Sequence, residues 1–86
     1  MTSQQTEAPS SADLVRASML RMASAWQTTG QINQAVDLYV RILTRYPDTP
    51  EAREATDNVV ALAQTYERQG QYRLALDLYD RLGRFS

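Results

Sequence analysis

The side chains able to do chemistry in this 86-residue chain are Ser, Thr, Tyr, Asp, Glu and Arg. There is no His, so the commonest general base and the commonest transition-metal ligand are missing. There is no Cys, which excludes disulfides, thiolate nucleophiles and cysteine metal sites. There is no Lys either: all nine basic residues are Arg, from Arg16 to Arg84, and Schiff-base chemistry is excluded with it. No Ser stands in a Gly-flanked turn of the kind that presents a nucleophile, and no phosphate loop or EF-hand spacing occurs. Asp37 and Asp77 repeat, each beside apolar residues at the same place in two similar segments, which marks a scaffold position. Glu51 and Glu54 read as solvated carboxylates on a helix exterior. No catalytic residue, metal ligand or cofactor is assigned, and the chain is not read as an enzyme.

The arginines admit one other chemistry. Arg41, Arg45, Arg81 and Arg84 could meet phosphates, as in some RNA-binding helical repeats. A net charge of −1 and the neighbours Asp37, Asp77 and Asp80 argue against it. Pairs at i,i+4, Asp37–Arg41 and Asp77–Arg81, are the simpler account. Nucleic acid is not an expected partner.

The elements that hold these residues are helices. Residues 1–10 are rich in Ser, Thr and Gln and are expected to form a disordered leader. They lack the basic and apolar regions of a secretory signal, and no apolar run is long enough to span a membrane, so a cytoplasmic location is expected. Ser10 is placed to cap a first helix over about 11–29, with Leu14, Val15, Met19, Met22, Ala23 and Trp26 at helical spacing and Gly30 ending it. A second helix, about 32–46, buries Ala35, Val36, Leu38, Tyr39, Ile42 and Leu43 and stops at Pro47. Asp48 or Thr49 caps a third, about 50–69, with Pro50 at its first position. Ala52, Ala55, Val59, Leu62, Ala63 and Tyr66 line it, and Gly70 ends it. The fourth, about 72–82, is expected to bury Ala75, Leu76, Leu78 and Tyr79, with Gly83 as its cap. The aromatic set Trp26, Tyr39, Tyr66, Tyr72 and Tyr79 reads as core.

The chain repeats itself. A shift of 40 residues lays Gly30-Gln31 on Gly70-Gln71, Ala35 on Ala75, Asp37-Leu38-Tyr39 on Asp77-Leu78-Tyr79, and Arg41 on Arg81. From Met19 to Ile42, 8 of 24 aligned positions are identical. Chance alone gives roughly one or two, so two helix–turn–helix units of one design are present.

These residues resemble the tetratricopeptide repeat. The first unit offers Met19, Met22-Ala23, Trp26, Gly30, Ala35, Tyr39, Ile42 and Pro47; the second offers Val59, Leu62-Ala63, Tyr66, Gly70, Ala75, Tyr79 and Leu82. The resemblance implies an all-α fold of two antiparallel helical hairpins in a short right-handed α-solenoid, with units at about 16–49 and 50–86. Repeats of the family are usually about 34 residues apart. The additional residues here, Pro50 to Ala55, have high helix propensity and are expected to lengthen the third helix backwards.

The family's concave groove is lined by the first helix of each hairpin. The resemblance places Ala17, Leu20, Arg21, Ser24, Gln27 and Thr28 there from one unit. From the other come Asp57, Val60, Ala61, Gln64, Glu67 and Arg68. Family members that clamp a chaperone's carboxylate tail use Lys and Asn at places held here by Leu20, Ser24 and Ala61, so that ligand is not expected. Leu20 and Val60 are equivalent and apolar, a floor for an amphipathic helix or extended peptide, or residues half-buried against neighbouring helices. Two units without a polar capping helix are expected to associate, through Leu74, Leu78 and Leu82 of the fourth helix with Phe85 nearby. The implied function is a non-catalytic interaction or scaffold module that binds a peptide or helix in its groove or self-associates. The alternative is a dedicated structural or regulatory subunit of a larger enzyme or membrane complex, without inserting in the membrane itself.

Overall fold

The computed structural model describes residues 10–83, all of them in four helices and the links between them. The helices are α1 (Ser11–Thr28), α2 (Ile32–Arg45), α3 (Pro50–Arg68) and α4 (Tyr72–Gly83). No strand occurs among the described residues. The expected leader, apart from Ser10, and the expected docking residue Phe85 lie outside them.

Local chemistry sets each helix end. Ser10 and Asp13 form a reciprocal capping box: the Asp13 amide donates to the Ser10 hydroxyl, and the Ser10 amide donates to the Asp13 carboxylate, each at 3.1 Å. Thr49, rather than Asp48, caps α3. Its hydroxyl accepts from the Ala52 amide at 3.1 Å and donates to the Tyr46 carbonyl at 2.7 Å. Asp48 takes the left-handed backbone conformation instead, at φ +63°.

Both hairpin turns use the same device. Gly30 (φ +87°) and Gly70 (φ +78°) end α1 and α3 in left-handed conformations that a Cβ would strain. The next amide reaches back to the helix, Gln31 to the Trp26 carbonyl and Gln71 to the Tyr66 carbonyl, both at 2.8 Å. This closure makes each second helix reverse direction within three residues. Gly83 has no positive φ and forms the last residue of α4 instead of a cap.

The core lies inside and between the hairpins. Ala23 and Ala35 are fully buried in the first, Ala63 and Ala75 essentially so in the second. Small residues at these points let antiparallel helices approach closely. Tyr39, Ile42, Val36 and Val59 are the largest fully buried side chains, three on α2 and one on α3. Both first helices are long, with 18 residues in α1 and 19 in α3, so the residues from Pro50 to Ala55 do extend α3.

Several expected core residues are not buried. On α4, Leu78 is 7% exposed, buried as its spacing predicted and so not an open association face, whereas Leu76, expected in the core, is 66% exposed. The reason is angular. At about 100° per residue, Ala75, Leu78, Tyr79 and Leu82 form one inward stripe, with Leu74 and Leu76 on opposite flanks. Leu14, Val15 and Met22 on α1 and Tyr72 on α4 are also exposed.

Candidate partner-binding clefts

The first helices supply the inner cleft. Ala17, Leu20, Arg21 and Ser24, spaced by three and four residues, form one stripe of α1. Across from them stands the first turn of α3, with Pro50, Glu51 and Glu54, and the space between is about 350 Å³. Half-buried Leu20 is its apolar floor. Charge gathers at the rim. Among the described residues neither Arg21 nor Glu54 has an ion-pair partner; the Arg21 guanidinium donates only to the Ser18 hydroxyl, at 3.1 Å.

Glu51 is fixed. Arg16 Nε donates to Glu51 Oε1 at 2.8 Å, and the same guanidinium donates to Asp13. The carboxylate is therefore ion-paired rather than freely solvated as expected. Its hydrogen bond to Arg16 holds the Glu51 pKa below the usual carboxylate value. The Asp13 pKa is lowered too, chiefly by the Ser10 amide, then by the Ser10 hydroxyl and Arg16. The Arg16 guanidinium also sits 5.8 Å from the centre of the Tyr46 ring. Arg16 thus ties the start of α1 to the start of α3 and holds the cleft walls in register.

The other expected groove residues are dispersed. Gln27 and Glu67 turn towards the second helix of their own hairpins, where Tyr39 donates to Gln27 Oε1 at 2.7 Å and Tyr79 donates to Glu67 Oε1 at 2.8 Å. Asn58 donates to the Tyr39 hydroxyl at 3.3 Å. Thr28 caps back onto the Ser24 carbonyl at 3.0 Å. Val60 is half-buried, and Asp57, Ala61, Gln64 and Arg68 are exposed along α3 away from the cleft. The long α3 explains this: its first two turns, rather than its middle, lie opposite the Ala17–Ser24 stripe. Pro50, Glu51 and Glu54 were legible as the start of a long helix, but not as a cleft wall.

A larger cleft, about 540 Å³, opens on the opposite side between α2 and α4. Ile32, Asn33, Val36 and Asp37 line it from the first hairpin; Tyr66, Leu74, Leu78 and Arg81 are among those lining it from the second. The expected association residues Leu74 and Leu78 therefore meet in this cleft, while Leu82 borders a separate one with Leu43 and Pro47. Arg81 closes the rim by donating to Asp37 Oδ1 at 2.8 Å. The expected pairs within one helix, Asp37–Arg41 and Asp77–Arg81, do not form, because Arg81 reaches across the cleft instead.

These clefts offer apolar floors with guanidinium and carboxylate rims. Among the described residues no three acidic groups come together to hold a metal ion, and no helix is long and apolar enough to cross a membrane. The family model of the tetratricopeptide repeat matches residues 17–49 and again residues 51–84, most of the chain. No curated protein and no solved structure matches it.

Proposed function

The chain belongs to the tetratricopeptide repeat family, and we propose that it is a non-catalytic protein-interaction module that receives a segment of a partner protein in the cleft between α1 and α3. Repeats of this family generally mediate protein–protein interaction. The observation that carries the finer reading is the pairing of an apolar floor, Leu20 with Ala17 and Pro50, with two charges on opposite walls, Arg21 and Glu54, that have no ion-pair partner among the described residues. An amphipathic helix or extended peptide with one apolar anchor and charges of both signs satisfies all of them. Arg is well suited to the cation side, since its planar fork pairs with a carboxylate at two points.

Selection from a display library of random peptides against the isolated chain tests this. Bound peptides should share an apolar anchor flanked by an acidic and a basic residue. Leu20→Glu should abolish binding with helicity unchanged, because Leu20 is only half-buried. Binders that ignore Leu20→Glu would overturn the reading.

A second reading, a dedicated subunit of a larger complex, is supported by the exposed apolar residues at the two ends of the stack, Leu14, Val15 and Met22 at one and Tyr72 and Leu76 at the other. A subunit of that kind would be insensitive to Leu20→Glu and sensitive at the ends.

A further inference from the structure

The junction between the two hairpins has an exact internal comparison, because each unit contains both sides of it. On one side, α2 presents Ile32, Asn33, Val36 and Asp37; on the other, the second hairpin presents Tyr66, Leu74, Leu78 and Arg81. Shifting the first set by 40 residues gives Tyr72, Arg73, Leu76 and Asp77 on α4. Shifting the second set back gives Trp26, Gln34, Leu38 and Arg41 on the first hairpin.

The first shifted set is exposed, and the second lines an open cleft in which Leu38 forms the buried floor. Val36 is 1% exposed inside the junction and its equivalent Leu76 is 66% exposed; Tyr72, the equivalent of Ile32, is 64% exposed. At the opposite end, Trp26, Gln34, Leu38 and Arg41, with Met22 and Asp37, line a cleft of about 290 Å³ that repeats the second hairpin's wall. The charges match as well. Arg81 pairs with Asp37 across the junction, and among the described residues neither Arg41 nor Asp77 has an ion-pair partner. One end of the molecule thus carries the unpaired cation and the other the unpaired anion of the same contact.

We infer that the end faces are made for each other, and that copies of this chain stack head to tail. Leu76 and Tyr72 of one copy enter the Met22–Trp26–Arg41 cleft of the next, and Asp77 accepts from the next copy's Arg41. The contact is heterologous: the two surfaces differ, so each copy keeps one free end of each kind and association continues past the dimer. It is independent of the inner cleft, so its failure leaves the peptide-binding reading standing, and the reverse.

Sedimentation velocity on the 86-residue chain and two variants tests it. Wild type should show an average mass that rises with concentration past that of a dimer. Leu76→Asp spoils one end and Met22→Asp the other; both residues are exposed, so circular dichroism should show native helicity. Each variant alone should weaken association by about ten- to a hundredfold, the factor for one large apolar side chain. An equal mixture should form a dimer and stop there, since one intact end of each kind remains. A folded wild-type chain that stays monomeric at high concentration overturns the inference. So does association indifferent to both variants, or a mixture that fails to pair.

Discussion

Arg81 donates to Asp37 at 2.8 Å from a position 44 residues later in the chain, joining the second hairpin to the first. Both side chains remain partly open to solvent, which limits what the pair contributes. Asp37→Ala or Arg81→Ala should each destabilise the fold by less than about 1 kcal/mol. The double variant should cost little more than either single one, and the coupling should shrink in high salt. Urea denaturation of the four proteins at two salt concentrations measures this.

The two equivalent tyrosines should behave differently. Tyr39 is fully buried, with its hydroxyl donating to Gln27 and accepting from Asn58; Tyr79 makes the corresponding bond to Glu67 at the surface. Tyr39→Phe strands two partners and should cost about 1 kcal/mol or more, while Tyr79→Phe should cost less. Thermal melts at neutral pH compare them.

Burial raises the Tyr39 pKa, and the bond to Glu67 followed by burial raises that of Tyr79. A raised value means that the unfolded chain ionises first. Stability is therefore complete below about pH 10 and falls as pH rises through the folded-state values. Tyr39→Phe should flatten that alkaline decline, as read from melting temperature across the alkaline range.

The acid side has the opposite sign. The Glu51 and Asp13 pKa values are lowered in the fold, so the stability they contribute is present above about pH 4 and is lost as pH falls through the lowered values. Arg16→Ala removes the largest cause at Glu51 but leaves the Ser10 bonds at Asp13. The variant should melt earlier than wild type near neutral pH, and the two should converge in strong acid. A constant gap across the whole range would contradict this.

Val36 and Leu76 separate folding from association. Val36→Ala opens a void at the hairpin junction and should cost about 2 kcal/mol. Leu76→Ala touches a side chain that is mostly exposed and should leave the unfolding free energy of the monomer within about 0.5 kcal/mol. Chemical denaturation at low protein concentration, where copies are apart, gives both values.

The sequence carried the helices, both glycine turns and the repeat, because each rests on neighbours a few residues apart. It placed Tyr39, Ile42 and the alanines correctly for the same reason. It failed where burial depends on what lies beside a unit. The pattern that buries Val36 is copied in Leu76, yet only Val36 has a hairpin packed on it. The copied Asp37 and Arg41 suggested pairs within a helix, whereas the pair that forms crosses between units, a register that periodicity does not encode. The inner cleft was half legible. The α1 stripe came from the family resemblance, but its opposite wall, Pro50 to Glu54, depended on where the long α3 lies against α1.

The proposed function turns on where a partner segment sits. Titrating a peptide selected by display into isotopically labelled chain, and following backbone amide shifts by NMR, locates it directly. The cleft account predicts the largest shifts at Ala17, Leu20, Arg21, Ser24, Glu51 and Glu54. Shifts concentrated on α2 or α4 instead, with that stripe unmoved, would contradict it.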